Sequence, residues 1–96
     1  AEPLGAEKAE SWGLIWKSVD DADLMQTARD MVEGFAKGPT LGLALTKEAI
    51  QSSWDNDLLT HLDKEADFMT RCGESADYAE GVSAFLEKRA PSFNGR

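Results

Sequence analysis

Cysteine, histidine and tyrosine each occur once in these 96 residues, and positive charge is scarce. A single cysteine, Cys72, has no partner for an internal disulfide, which favours a reducing compartment and a cytoplasmic location. No apolar run approaches the ~20 residues needed to cross a membrane. The opening AEPLGAEKAE lacks a basic stretch followed by an apolar one, so no secretory signal is visible. Ten Lys and Arg against 18 Asp and Glu leave a net charge of −8, which argues against nucleic-acid phosphates and anionic membrane faces as partners. There is no internal repeat, low-complexity run or flexible linker, and the length allows one small domain without a second core. No catalytic constellation stands out. The absence of an initiator Met before Ala1-Glu2-Pro3 leads to the expectation of a chain cut from a longer one.

What is present is mostly helix with clear punctuation. Ala6 to Trp12 reads as a short helical turn ended by Gly13, a residue type that tolerates the left-handed C-terminal conformation. Leu14 to Val19 is rich in β-branched and aromatic residues and has the length of a strand. Asp20-Asp21 then offers an N-cap for a helix whose stripe is Leu24, Ala28, Met31, Val32 and Phe35. Lys37-Gly38-Pro39 stops that helix and starts the next. In the segment from Leu41 to Ser53, Leu41, Leu43, Ala44, Leu45, Ala49 and Ile50 surround most of the circumference, predicting a helix buried among others. Asp55 or Asn56 is expected to cap a helix with the stripe Leu58, Leu59, Leu62, Ala66 and Met69, ended by Gly73. Ser75 caps the last helix, with Asp77 at its positive dipole end and an apolar face of Tyr78, Val82, Phe85 and Leu86, and Pro91 marks its end. A lone strand of about six residues has no visible neighbour to satisfy its backbone groups. Either another chain supplies that neighbour or the segment is not a strand.

Charge changes sign near the end. Residues 1–87 carry 7 Lys and Arg and all 18 acidic residues, whereas Lys88, Arg89 and Arg96 follow with no acid among them. A basic tip on an acidic body is a candidate site for a phosphate. Lys88 can equally be a solvated helix-end lysine beside the negative end of the dipole. Phe85 lies one turn earlier on the same face, where it can join Lys88 at one ligand or pack with Val82 and Leu86. His61, Asp63, Glu65, Asp67 and Cys72 resemble a metal cluster at first sight. His61 and Glu65, at i and i+4, can share a face, but no third ligand is placed in geometry, and a solvated helix face is the reading retained. Cys72 lies near a helix end rather than at an N-terminus, where its thiolate would gain most, and reads as an ordinary thiol. Asp20-Asp21 is a cap, not a catalytic dyad, and Trp12, Trp16 and Trp54 are bulky residues this chain alone is not expected to bury.

The order Ala9, Trp12-Gly13-Leu14-Ile15, Val19, then Gly38-Pro39, Ala44-Leu45-Thr46-Lys47, and Gly81-Val82, Ala84-Phe85-Leu86-Glu87-Lys88-Arg89 resembles the C-terminal part of the crotonase superfamily, the enoyl-CoA hydratases and isomerases. Within it, Trp12-Gly13-Leu14-Ile15-Trp16 and the endings Ser75-Ala76-Asp77-Tyr78 and Phe93-Asn94-Gly95-Arg96 are most similar to the epoxyphenylacetyl-CoA isomerase branch of phenylacetate degradation. The resemblance implies a larger enzyme with an N-terminal spiral of ββα turns, which carries the oxyanion-hole amides and the acid/base carboxylates, followed by a helical region that assembles trimers or hexamers. It places residues 1–20 in the remnant of the spiral, supplying the orphan strand, and residues 21–96 in the helical region that assembles subunits and covers coenzyme A. It implies that Phe85 and Lys88 contact the nucleotide of a coenzyme A thioester substrate, often one held by a neighbouring subunit. It implies no catalytic residue in these residues, so that the chain alone is expected to be inactive; no metal and no bound cofactor are expected either. The expected fold is therefore mainly α, four to five helices preceded by one short strand, in a chain that self-associates, with a swapped dimer as one route. The rival reading is a stand-alone acidic helical module for protein–protein interaction.

Overall fold

The structure, a computed structural model, describes residues 2–96. Five helices follow one another: α1 (Ala6–Ser11), α2 (Asp21–Ala36), α3 (Thr40–Ser52), α4 (Leu58–Gly73) and α5 (Ala76–Glu87). The chain divides into two compact units, Ala1–Met31 and Val32–Arg96, with the boundary inside α2.

In the first unit, Gly13 takes φ 71° and turns the chain back over α1, as a glycine after a short helix allows. The segment Leu14–Val19 is not a strand, and no strand forms among the described residues. Its amides find other acceptors: Leu14 N–H donates to the Ala9 carbonyl at 2.9 Å and Ser18 N–H to the Glu10 carboxylate at 2.8 Å. With no second strand to exchange bonds with, β propensity alone does not make a ladder. Ala9 is buried, while Trp12 and Trp16 stay exposed with the ammonium groups of Lys8 and Lys17 over their rings at 4.8 and 5.9 Å. Asp20 starts α2 through its backbone, its carbonyl accepting Asp23 N–H at 2.9 Å.

In the second unit, α4 packs against both α3 and α5. Leu45 of α3 and Phe68 of α4 are buried, and Lys64 on α4 pairs with Glu48 on α3 at 3.0 Å. The cap of α4 is Asp57 rather than Asp55 or Asn56. Its carboxylate accepts both the Thr60 N–H and the Thr60 hydroxyl at 2.9 Å, the N-cap to N3 geometry that satisfies an otherwise free amide. Ser75 caps α5 as expected, accepting Tyr78 N–H at 3.0 Å.

The apolar stripes point outward. Leu58, Leu59, Leu62 and Met69 on α4 are all exposed, and α4 turns the face carrying His61, Lys64, Phe68 and Cys72 inward instead. Leu24, Val32 and Phe35 on α2 and Leu43 and Ile50 on α3 are exposed too, so α3 is not the enclosed helix its composition predicts. Trp54 is 88% exposed. Among the described residues the buried apolar side chains are Ala9 in the first unit and Leu45, Phe68 and Ala84 in the second. A chain that builds four amphipathic helices and leaves most of their apolar faces in water carries surfaces made for other contacts.

Candidate functional site

The end of α5 is built from both faces of that helix. Its apolar face, with Tyr78, Phe85 and Leu86, is exposed, while Asp77 and Ala84 on the opposite side are buried. Phe85 is 82% exposed and therefore not a core residue of this chain. It borders, with Val82, Leu86, Tyr78 and Leu41, an apolar groove of about 440 Å³.

Against the buried side of α5 runs the segment after the helix, 91–96, which folds back toward the helix start. The Asp77 carboxylate, 3% exposed, accepts the N–H groups of Asn94 at 2.7 Å and Gly95 at 2.9 Å, and the Asp77 N–H donates to the Arg96 carbonyl at 2.9 Å. Gly81 makes room for the Phe93 ring: a Cβ built there would stand 3.6 Å from it. Gly95 has φ 79°, and a Cβ there would come to 2.5 Å from the Thr40 hydroxyl oxygen, so only glycine fits.

The turn between helix and strap is made by Lys88, at φ 54°, ψ 39°, the left-handed conformation. Its N–H donates to the Phe85 carbonyl at 3.3 Å, and Arg89 N–H donates to the Ala84 carbonyl at 3.0 Å. That closure normally uses glycine; a residue with a Cβ gives up roughly 1–2 kcal/mol to adopt it. The Lys88 side chain is exposed and makes no ion pair among the described residues.

Arg89 differs. Its guanidinium meets the Glu80 carboxylate with both terminal nitrogens, Nη2 to Oε2 at 2.9 Å, and its Nε reaches Glu87 Oε2 at 2.6 Å. Glu80 Oε1 also accepts Ser92 N–H at 2.8 Å. The Arg89 guanidinium, followed by the Ser92 amide, holds the Glu80 carboxyl down at about 2, and Arg89 is raised in turn by Glu80 and then Glu87. The basic tip read from the sequence is therefore smaller in space: two carboxylates surround Arg89, and the exposed ammonium at the turn is that of Lys88. Asp77 does more than act as the dipole partner its position predicts, and Glu80 joins the site with no motif to mark it. The signal was a second face at helical spacing, Asp77, Glu80, Gly81 and Ala84, too polar and small to read as a packing surface.

The other candidates stay apart. His61 Nε2 meets Glu65 at 3.2 Å and its Nδ1 lies 3.4 Å from the Asn56 amide, with no third metal donor grouped around it among the described residues. Cys72 is half-buried and free. No helix among the described residues is long and apolar enough to cross a membrane.

Comparison with known proteins places this geometry. The profile of the family described as Enoyl-CoA hydratase/isomerase matches residues 1–96. The chain is 52% identical to the 1,2-epoxyphenylacetyl-CoA isomerase of Escherichia coli K12 over 97% of its length, and 33% identical to the 2,3-dehydroadipyl-CoA hydratase of the same organism over 99%. It covers 36% and 37% of those two proteins, about a third of their length. Among solved structures, an enoyl-CoA hydratase from Polaromonas sp. JS666 superposes with a TM-score of 0.89 at 29% identity, covering 97% of this chain and 36% of that one.

Proposed function

The chain belongs to the enoyl-CoA hydratase/isomerase family, and from that premise we propose that it forms the helical C-terminal part of a cytoplasmic enzyme acting on a coenzyme A thioester. The observation that carries the reading is the 52% identity to the 1,2-epoxyphenylacetyl-CoA isomerase, which favours isomerisation of an epoxidised phenylacetyl thioester. Relatives named hydratases keep hydration of an enoyl thioester as the second reading. Residues 1–20 are the remnant of the spiral in this proposal, and residues 21–96 are the region that assembles subunits and covers coenzyme A. The exposed stripes of α2, α3 and α4 support assembly into a trimer or hexamer.

Catalysis in this reading belongs to groups outside these residues: two backbone N–H groups that stabilise a thioester enolate and a carboxylate that moves a proton. The chain alone then turns over no acyl-CoA, since loss of even one oxyanion donor costs ~10²–10³ in rate. What these residues contribute is binding. Lys88 offers an ammonium to a nucleotide phosphate, and the exposed ring of Phe85 lies one turn away on the same helix.

The test is Lys88→Ala in the longer enzyme, assayed with an enoyl-CoA and with the matching pantetheine thioester. The apparent KM for the CoA substrate rises about fivefold with kcat little changed, the mark of uniform binding remote from the reacting bond. The pantetheine substrate shows no change. An equal loss with both substrates removes Lys88 from the nucleotide site. The rival, an acidic interaction module with no thioester site, predicts no CoA-dependent effect at all.

A further inference from the structure

Two cations follow one another at the end of α5, and the structure gives them opposite situations. Lys88 is exposed and unpaired among the described residues, whereas Arg89 is ion-paired with both Glu80 and Glu87. We infer that Glu80 and Arg89 are positioning residues, which hold the left-handed turn at Lys88 so that its ammonium is presented to the coenzyme A phosphate, and that Arg89 is not itself a phosphate ligand. The inference rests on the coenzyme A reading of Lys88 and adds to it a division of labour between neighbouring cations.

The geometry supports this at three points. Lys88 occupies a backbone conformation that a side-chain-bearing residue holds only when its surroundings over-determine it. The over-determination comes from Glu80, two turns back on α5: its two oxygens take the Arg89 fork, fixing the residue after the turn, and Oε1 also takes the Ser92 amide, fixing the chain three residues further on. A planar guanidinium held by both terminal nitrogens is fixed in orientation as well as distance, which an ammonium at the same place would not be. The charge accounting agrees. Glu80, Glu87 and Arg89 together carry a net negative charge, so a phosphate approaching the turn is repelled by the trio and attracted by the adjacent Lys88. Placing Arg89 on the phosphate would strip two short ion pairs, 2.9 Å to Glu80 and 2.6 Å to Glu87.

The two roles for Arg89 predict opposite signs. Glu80→Gln weakens the hold on Arg89 while keeping the side chain's shape. If Arg89 were a phosphate ligand in waiting, the substitution would free it and tighten coenzyme A binding. If it positions Lys88, the substitution loosens the turn and weakens binding. The experiment is calorimetric titration of the longer enzyme with coenzyme A and, separately, with pantetheine, for wild type, Glu80→Gln, Lys88→Ala and the double variant. The expected result is a several-fold weaker affinity for coenzyme A in Glu80→Gln, up to the roughly fivefold of Lys88→Ala, with pantetheine affinity unchanged. The double variant matches Lys88→Ala alone, since a group that acts through Lys88 has nothing further to lose. Should Glu80→Gln fail to fold, Arg89→Lys, which keeps the charge and loses the fork, is expected to give the same pattern. Tighter or unchanged coenzyme A binding in the single variant overturns the inference, as does an additive loss in the double variant or a parallel loss for pantetheine. A null effect of Lys88→Ala overturns the coenzyme A reading of Lys88 instead, whatever the Glu80 variant does.

Discussion

The carboxylate of Asp77, at the start of α5, receives the amide of Gly95, next to the last residue of the chain, at 2.9 Å. With the Asn94 amide on the other oxygen and Arg96 bonded to the Asp77 amide, one buried residue anchors the whole strap. A buried acid with two amide donors is satisfied without any cation. Removing it takes the acceptor from the N–H groups of the exposed Asn94 and the half-buried Gly95.

Asp77→Ala is therefore expected to destabilise the chain by about 1–2 kcal/mol, the loss of two hydrogen bonds that water replaces only in part. Asp77→Asn is expected to recover part of that loss, because one oxygen still accepts. Gly95→Ala attacks the same contact from the other side, since its Cβ meets the Thr40 hydroxyl at 2.5 Å in a backbone conformation unfavourable to alanine. Thermal melting gives the stabilities, and amide exchange at Asn94 and Gly95 shows whether the strap has lifted. Normal protection in Gly95→Ala would contradict the account.

Local signals were legible, and signals that depend on what covers a face were not. Gly13, Ser75 and the Gly38-Pro39 junction act within a turn of themselves, so residue type alone located them. The cap of α4 was misplaced by one or two residues because Asp55, Asn56 and Asp57 are all competent caps, and Asp57 is the one with Thr60 three residues ahead. Leu58, Leu59, Leu62, Ala66 and Met69 do line one stripe of α4, but the stripe faces solvent, because periodicity separates two faces without naming the buried one. Leu14 to Val19 failed as a strand for a related reason: strand propensity needs a partner, and the described residues offer none. The strap was missed because Asp77 and Glu80 reach acceptor roles only once residues 89–95 return to them.

Acid should loosen the C-terminal turn before it unfolds the helices. Glu80 is held at about 2, below its ordinary 4.5, and Asp57 is lowered by the Thr60 amide and then the Thr60 hydroxyl. Both shifts are depressions in the folded state, so each carboxylate contributes stability that is complete above its ordinary value. That contribution is lost as pH falls toward the folded value. For Glu80 the window runs from 4.5 down to about 2. Melting temperature is expected to decline across it, with a shallower decline in Glu80→Gln. A Glu80→Gln curve parallel to wild type would remove Glu80 from the transition.

Self-association should follow from the outward stripes. Leu59 and Met69 on α4 are exposed at 73% and 76%, and apolar patches beyond a few hundred Å² commonly mark contact surfaces. Sedimentation of the 96-residue chain is expected to shift toward larger species across the micromolar range. Leu59→Glu with Met69→Glu should shift it toward monomer with little change in helix content, because both side chains are mostly exposed within the chain. A compact monomer at high micromolar concentration would oppose the assembly role proposed for these helices.

Lys88 separates strain from charge, because alanine and glycine both remove the ammonium while only glycine suits the left-handed turn. Lys88→Gly is expected to be more stable than Lys88→Ala by about 1 kcal/mol, the cost of a Cβ at positive φ. Comparing the two variants with each other cancels the lost attraction between a cation and the helix C-terminus. In coenzyme A affinity the two should lose alike, since each lacks the phosphate contact. Urea unfolding of the chain measures the first difference, and titration of the longer enzyme with coenzyme A measures the second. If Lys88→Gly kept wild-type affinity, the turn alone and not the ammonium would be what the site needs, and Lys88 would be a helix-end lysine with no ligand.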